Sequence, residues 1–218
     1  MTLDILLINT HESTDENLFS VQLEKAINVF DSTITLASAY HFGNIKKFCD
    51  DKYSHIILSG VPLDGRSLTD NKFNLEIQSK YNYLLEINTP VLGICFGHQI
   101  LASLYGLEIK SLSKPIDSFA KSEFKENLIY VSGINSWYKD EIYVHHRDFV
   151  NTNKFVPGVN VLLECNVKEN IGGSNLVPYI IEYDKKRPVI GYQFHPEFSG
   201  SLGRVLFQNF FMDSMSIK

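Results

Sequence analysis

The first half of the chain alternates between two patterns of hydrophobic residues. Short continuous apolar runs predict strands buried on both faces of a sheet, at Leu3–Asn9, 34–37, 53–58 and Val91–Ile94. Between these runs apolar residues recur with helical spacing, which predicts helices over 18–30, 44–49 and 71–87 and another that begins at Phe96. This alternating order predicts a mainly parallel, doubly wound sheet with helices on both faces.

The pattern changes beyond about residue 107 to shorter segments with strand character. These segments are 108–111, 128–131, 141–145, 159–165, 179–183 and 189–194, followed by an apolar helix over 200–212. No proline- or glycine-rich linker, low-complexity tract or internal repeat divides the two halves. We therefore expect residues 1–218 to form a single α/β domain, with the later strands extending the same sheet.

Composition narrows the classes of function. The net charge of −5 and the absence of any Lys/Arg run argue against a nucleic-acid-binding surface. The amino terminus has no basic region, and its apolar run is too short for a signal peptide or a membrane span. Three widely spaced cysteines give neither a disulfide framework nor a zinc pattern. We expect a cytoplasmic protein that needs no metal or other cofactor and does not bind membranes.

One stretch combines a strand, a sharp turn and a helix around a cysteine. Cys95 follows the apolar run Val91–Ile94 and has glycine two residues before it and two residues after it. Gly-x-Cys-x-Gly is the thiol counterpart of the nucleophile elbow of serine hydrolases. At a helix N-terminus the partial positive charge favours the thiolate. On this pentapeptide alone, a buried structural cysteine is as good an interpretation as a nucleophile.

A second chemical motif lies a hundred residues later. The run 189–194 predicts a strand that ends at His195, and Glu197 follows after one proline. A thiol nucleophile needs a base, and the base needs a partner that fixes its tautomer and orientation. Cys95, His195 and Glu197 are suited to these three roles. Because parallel strands bring their C-terminal ends to one edge of the sheet, we expect the three residues to meet at the mouth of a cleft.

Together the motifs Gly-Ile-Cys-Phe-Gly-His-Gln (93–99) and Gln-Phe-His-Pro-Glu (193–197) resemble those of the class I, triad-type glutamine amidotransferases. The resemblance implies a flavodoxin-like fold and hydrolysis of the side-chain amide of glutamine through a γ-glutamyl thioester. It also implies that Cys95 is the nucleophile, His195 the base and acid, and Glu197 the orienting carboxylate. In this family the ammonia normally passes to a synthase domain or subunit.

The sequence Ser-Gly-Val-Pro at 59–62 resembles the family's Ser-Gly-Gly-Pro loop. The resemblance implies that the backbone N–H of Val61 and that of Phe96 form the oxyanion hole. Val61 stands where the family has glycine, and a β-branched residue disfavours positive φ. A peptide flip that switches the hole on and off should therefore be harder, and the hole is expected to be permanently formed or differently built.

Further residues are candidates for contacts with the substrate. His145-His146-Arg147-Asp148 resembles the Ser-His-x-Asp segment of the amidotransferase subunits of GMP synthetases. The resemblance implies that His146 and Asp148 line the substrate site together with Gly60 and Gln99. A charged surface loop at 145–148 and a solvent-facing Gln99 are the alternatives, and His98 is interpreted as lying behind the site or in solvent.

Three functions remain open from the sequence. The chain ends about twenty residues after Glu197, so we expect no fused ammonia-accepting domain. In the first interpretation, the protein is therefore a glutaminase subunit that supplies a separate synthase. In the second, the protein hydrolyses some other γ-glutamyl amide on its own, which the replacement of glycine by Val61 slightly favours. In the third, it is an inactive regulator with an amidotransferase-like fold, but the presence of all three residues of the predicted triad argues against this.

Overall fold

A computed structural model describes residues 3–11, 18–30, 32–38, 53–61, 66–121, 141–168, 174–184 and 187–215. Its strands are β1 (Leu3–Asn9), β2 (Ser32–Ser38), β3 (His55–Leu58), β4 (Val91–Ile94), β5 (Glu108–Lys121), β6 (Glu141–Asn151), β7 (Asn160–Lys168), β8 (Ser174–Asp184) and β9 (Val189–Tyr192). Its α-helices are α1 (Leu18–Ile27), α2 (Asn71–Tyr81), α3 (Phe96–Leu104) and α4 (Gly200–Met215). Short 3-10 helices span Asn82–Leu85 and Pro196–Phe198.

Seven strands form the central sheet in the order β2-β1-β3-β4-β9-β8-β7. The first five run parallel to one another, and β8 is antiparallel to both β9 and β7. One hydrophobic core lies between the sheet and helices α2 and α3, and the other between the sheet and helices α1 and α4. The predicted fold class, a mainly parallel sheet covered on both faces, is therefore confirmed.

The later strands do not all join that sheet. Strands β5 and β6 pair with each other in a separate antiparallel ribbon, so the expectation that every later strand extends the central sheet is wrong for these two. Both are longer than the segments predicted at 108–111 and 141–145. Alternate residues of β6, such as Ile142 and Val144, are buried in the core, so the ribbon is held by one face rather than by an edge of the sheet.

The helix predicted over 71–87 ends early. It begins at Asn71, where the Asp70 side chain accepts a hydrogen bond from the N–H of Phe73 at 2.8 Å. After Tyr81 the chain tightens into the 3-10 helix, and the buried guanidinium of Arg187 donates hydrogen bonds to the carbonyls of Leu84 and Ile87. These contacts satisfy carbonyls that a helix end leaves unpaired.

Two other predicted elements lie outside the described residues, namely the helix at 44–49 and the strand at 128–131. None of the described helices is both long and apolar enough to span a membrane.

Candidate active site

Cys95 lies at the turn between β4 and α3 in an unusual backbone conformation. Its φ is 49° and its ψ is −101°, and among the described residues it is the only non-glycine residue with a positive φ. The flanking glycines allow this turn. A Cβ atom on Gly93 would lie 2.5 Å from the carbonyl oxygen of Gly97, and one on Gly97 would lie 2.5 Å from that of Leu58. The strand, turn and helix thus have the arrangement that the sequence predicted.

The thiol of Cys95 is buried. The residue is 4% exposed, and its Sγ donates a weak hydrogen bond to the carbonyl oxygen of His145 at 3.5 Å. A partly exposed Cys95 at the mouth of a cleft is expected from the sequence; the residue is buried instead, and the cleft itself stays a prediction. The strand that covers the thiol is β6, whose place beside the site could not be read from the sequence.

His195 follows β9 and is held by its backbone on two sides. Its N–H donates to the carbonyl of Tyr143 at 2.9 Å, and its own carbonyl accepts from the Ser199 hydroxyl at 2.7 Å. The contact with Tyr143 draws the chain towards β6, so β9 ends at Tyr192 and not at residue 194 as predicted. The backbone of His195 is therefore held between β6 and the residue that ends the following 3-10 turn.

The side chains of His195 and Glu197 form a buried pair. Nδ1 of His195 lies 2.8 Å from Oε1 of Glu197, and both side chains have zero exposure. Burial acts to lower the pKa of His195. The negative charge of Glu197, followed by the charge and hydrogen bond of Cys95, outweighs this effect and raises the pKa to about 10. The structure therefore brings together the three residues predicted as a triad: the imidazole is hydrogen-bonded to the carboxylate, and Gly60 lies against both the imidazole and the side chain of Cys95.

The predicted oxyanion loop passes directly beside this group. A Cβ on Gly60 would lie 2.7 Å from Cε1 of His195 and 3.3 Å from Cβ of Cys95, so only glycine fits there. The carbonyl of Ser59 accepts a hydrogen bond from the N–H of Gly97 at 3.2 Å, which ties the loop to α3. Val61 packs against the core and does not have a positive φ. Phe96 is the first residue of α3, where backbone N–H groups have no acceptor within the helix.

The remaining predicted contacts lie on α3 and β6. Gln99 is 4% exposed, and its Nε2 donates to the carbonyl of Asp148 at 2.7 Å, so the solvent-facing alternative is wrong. His146 and Asp148 belong to strand β6 and are buried, so the alternative of a charged surface loop is also wrong. The Asp148 carboxylate accepts a hydrogen bond from the Ser111 hydroxyl at 2.6 Å. Gln99, His146 and Asp148 thus lie in one buried polar layer.

His98 lies on the inner face of α3 and is fully buried, so an exposed position is excluded. Its Nδ1 is 2.9 Å from the hydroxyl of Tyr183. Burial and the neighbouring His146 lower the pKa of His98 to about 3, and burial followed by the charge of His195 does the same for the pKa of His146. Both imidazoles are therefore neutral near pH 7.

Sequence reasoning missed a polar group on the ribbon beside the thiol. Asp117 on β5 accepts a hydrogen bond from the hydroxyl of Tyr143 at 2.8 Å and lies 3.2 Å from Nδ1 of His145. The His145 ring centre is 6.2 Å from that of His195. Asp117 was not a candidate because the strand predicted at 108–111 ends before it, so no pattern placed Asp117 near the thiol. Among the described residues, no group of three or more His, Cys, Asp or Glu side chains is arranged to hold a metal ion.

A doubly wound α/β protein with a cysteine at a strand-to-helix turn beside a buried His–Glu pair has the architecture of an amidotransferase. The family model for class-I glutamine amidotransferases matches residues 6–214, and the chain belongs to that family.

Relatives agree with this assignment. One subunit of the glutamine-hydrolysing GMP synthase of Methanobrevibacter smithii is 33% identical over 134 residues, which are 59% of this chain and 62% of that protein. The glutamine-hydrolysing GMP synthase of Bartonella henselae is 30% identical over 167 residues, which are 75% of this chain and 28% of that protein. The chain therefore covers less than two thirds of the length of either relative.

A solved structure shares the fold. The crystal structure of a candidate GMP synthase subunit from Thermoplasma acidophilum matches 98% of this chain and 94% of that one, with a TM-score of 0.67 and 21% identity. At this identity the likeness concerns the fold alone.

Proposed function

We propose that this chain hydrolyses the side-chain amide of glutamine through a thioester on Cys95 and supplies the ammonia to a separate synthase. The observation that carries the proposal is the buried pair of His195 and Glu197, whose Nδ1 and Oε1 atoms are 2.8 Å apart, with Gly60 lying against both this imidazole and the side chain of Cys95. This pair occurs in a chain that belongs to the class I glutamine amidotransferases. Residues 1–218 would act as a single cytoplasmic domain without a cofactor.

The chemistry follows from the protonation state of His195. A histidine with a pKa of about 10 holds its proton near pH 7, so we propose a Cys95 thiolate paired with a His195 imidazolium. The sulfur attacks the amide carbon, and a C–S bond forms while the carbonyl oxygen takes the negative charge. His195 gives its proton to the nitrogen as the C–N bond breaks and ammonia leaves. Neutral His195 then takes a proton from water, which attacks the thioester, and glutamate leaves as the thiolate is restored.

The oxyanion needs two donors. We assign these to the backbone N–H groups of Val61 and Phe96, on the two segments that Gly60 and Cys95 bring side by side. Donors of this kind each lower the barrier by several kcal/mol in related acyl-transfer enzymes. Because Gly60 has no side chain, the loop can approach both the imidazole and the thiol.

We assign the remaining substrate contacts to Gly60 and to the buried polar layer of Gln99, His146 and Asp148. The amide of Gln99 is fixed by the carbonyl of Asp148, so it is held in one orientation before substrate arrives. His146 is buried and neutral, so its imidazole can form a hydrogen bond with an uncharged polar group. A polar layer of this kind suits an amino-acid substrate, whose polar groups would be costly to bury without partners.

The relatives that are named as GMP synthases or their subunits support a synthase as the partner, and a GMP synthase is the first to test. A standalone hydrolase of another γ-glutamyl amide is the second candidate. It is favoured by one observation, namely that Val61, which stands in place of glycine, does not have a positive φ.

The test is release of glutamate and ammonia by the purified chain, with glutamine and a panel of γ-glutamyl amides as substrates. Cys95→Ala should abolish the activity. Cys165→Ala is the matched control, because burial raises the pKa of the Cys165 thiol to about 11 and the residue lies on β7, the end strand of the central sheet, three strands from β4. The assay is repeated in the presence of the separate synthase subunit of a GMP synthase.

Three outcomes separate the candidates. Cys95-dependent hydrolysis of glutamine that increases with the synthase subunit would support the subunit role. Faster Cys95-dependent turnover of another amide, without a partner, would favour the standalone hydrolase. No turnover under any condition, together with no labelling of Cys95 by a glutamine-mimicking diazoketone, would contradict both and favour an inactive regulator.

A further inference from the structure

A chain of buried hydrogen bonds joins the ends of β1 and β3 to the predicted oxyanion loop. The backbone N–H of Thr10 donates to the hydroxyl oxygen of Ser59 at 3.1 Å, and that hydroxyl donates to the carbonyl oxygen of Gly60 at 3.1 Å. The hydroxyl of Thr10 donates to the carbonyl oxygen of Ser59 at 2.8 Å. Ser59 has zero exposure and Thr10 is 5% exposed. Water therefore does not compete for these bonds in the folded state.

The arrangement fixes the direction of the Ser59 hydroxyl. A hydroxyl has one proton to donate, and here the carbonyl of Gly60 takes it. The N–H of Thr10 meets an acceptor lone pair on the same oxygen, which polarises the hydroxyl and strengthens the bond to Gly60. The main chain of Ser59 is held as well, because its carbonyl accepts from both the Thr10 hydroxyl and the N–H of Gly97.

This fixed hydroxyl determines the orientation of the next peptide. The carbonyl of Gly60 and the N–H of Val61 belong to one peptide group, which is trans, so they point in opposite directions. While Ser59 holds the carbonyl, the N–H of Val61 must point the other way. A flip of this peptide would break the bond to Ser59 and leave the proton of its buried hydroxyl only the more distant Oγ1 of Thr10, at 3.5 Å, as an acceptor. Val61, as a β-branched residue, also resists the positive φ that glycine accepts.

We propose that Ser59 and Thr10 are positioning residues that lock the Gly60–Val61 peptide in one orientation, so that the oxyanion donor is in place before substrate binds. The inference rests on the proposed function, since it concerns the same site. It explains how a loop with valine in place of glycine can still serve an oxyanion, because a permanently oriented N–H requires no flip.

The kinetic test compares Ser59→Ala, Thr10→Val and Thr10→Ser with the unaltered chain in glutamine hydrolysis. Loss of either hydroxyl should lower kcat on the order of 10- to 100-fold with little change in KM, because the donor acts mainly in the transition state. Thr10→Ser keeps a hydroxyl and should restore most of kcat. Thr152→Val is the matched control, since the hydrogen bond of its hydroxyl within the described residues is an exposed 3.5 Å contact with Glu164. Alkylation of Cys95 by iodoacetamide, which forms no oxyanion, should keep its rate in all variants.

Crystal structures supply a second readout that does not depend on activity. The unaltered chain should show one orientation of the Gly60–Val61 peptide, with and without a bound glutamine-mimicking electrophile. Ser59→Ala, or Thr10→Val if that variant does not fold, should show a flipped or mixed orientation. A flip between the free and bound states of the unaltered chain, or wild-type kcat in Ser59→Ala and Thr10→Val alike, would overturn the inference. A chain that does not hydrolyse any γ-glutamyl amide refutes the proposed function, while the structures still decide how the peptide is held.

Discussion

Nδ1 of His195 lies 2.8 Å from Oε1 of Glu197 in a region that solvent does not reach. The two residues are only two positions apart, and the 3-10 turn Pro196–Phe198, which Pro196 opens, brings the carboxylate back to the ring. Burial would make an isolated imidazole lose its proton, but here the charge of Glu197, followed by the charge and hydrogen bond of Cys95, raises the pKa of His195 to about 10. This pair therefore sets both the orientation and the charge of the proposed acid and base.

Replacement of Glu197 by glutamine should separate these two effects. The amide can still accept a hydrogen bond from the ring, but its lack of charge should bring the pKa of His195 well below 10. We expect kcat for glutamine to fall on the order of 10²- to 10⁴-fold, and less than in His195→Ala, because the orienting residue takes the least direct part. Glutamate release measures kcat, and NMR titration of the imidazole measures its pKa.

The matched control for this change is Glu86→Gln, which alters an exposed carboxylate at the end of the 3-10 helix Asn82–Leu85. It should leave both kcat and the pKa of His195 unchanged. An unchanged imidazole pKa in Glu197→Gln would show that Glu197 is not the source of the shift.

The pair of His195 and Glu197 should also make the free energy of unfolding depend on pH in the alkaline range. The pKa of His195 is about 10 in the folded chain and about 6.5 in the unfolded chain, so the folded state binds this proton more tightly. The contribution of this proton is fully present below about pH 6.5 and is lost as the pH rises towards 10. The proposed Cys95 thiolate offsets it until the thiol of the unfolded chain ionises at about pH 8.5, so the net decline is expected between about pH 8.5 and 10. Urea unfolding at several pH values in this window should show the free energy of unfolding declining, with a shallower decline in Glu197→Gln. Parallel curves for the two proteins would contradict the prediction.

His98 and His146 should have the opposite effect in acid. Burial, and for each a neighbouring histidine, lowers both pKa values from 6.5 to about 3, so the folded chain keeps the two imidazoles neutral. Their contribution is present above about pH 6.5 and is lost as the pH falls towards 3, because unfolding lets each bind a proton.

Each of these histidines should add up to about 1.4 kcal/mol per pH unit to the loss of stability in acid. His146→Leu removes one site of proton binding at similar volume, so the free energy of unfolding should depend less steeply on pH below about 6.5. Urea unfolding of both proteins across this acid window measures the difference. Equal slopes would mean that His146 is already protonated in the folded chain.

The parallel part of the fold was predictable because its strands are continuous apolar runs bounded by turns, as at Leu3–Asn9 and Val91–Ile94. The turn at Cys95 was predictable because only glycine tolerates the close approach of strand and helix at 93 and 97. These are local signals, so one segment of sequence suffices to find them.

The ribbon of β5 and β6 gave no such signal. Most residues from Ser113 to Asp117 of β5 are exposed, and the pairing partner of this strand lies across a long stretch of sequence. The burial of His98 could not be predicted either, because it depends on the absence of a side chain at Gly191 on β9. A Cβ there would lie 2.0 Å from Nδ1 of His98. Contacts between residues so far apart in the sequence can be identified only from the folded structure.

Substitution by alanine should lower activity at one glycine and only stability at another. Gly60→Ala places a Cβ 2.7 Å from Cε1 of His195, so the imidazole must move and kcat/KM should fall on the order of 100-fold. Gly158 has φ +86° and no neighbour within 4 Å of an added Cβ, so Gly158→Ala should cost about 1 kcal/mol of stability through backbone strain alone. It should retain full activity. Glutamine hydrolysis and urea unfolding of both variants test the contrast, and full activity in Gly60→Ala would refute the contact with His195.

The conformation of Cys95 predicts that glycine is preferred to alanine at this position. With φ at 49° and ψ at −101°, any residue with a Cβ is strained, and glycine is not. We expect Cys95→Gly to be more stable to urea than Cys95→Ala by about 1 kcal/mol, with both inactive. Ala102→Gly, inside the helix α3 that follows Cys95, is the control, and there glycine should be less stable than alanine by about 1 kcal/mol. If alanine is the more stable residue at both positions, then the turn at Cys95 is not strained, and the thiol is not held by the backbone as inferred from its dihedral angles.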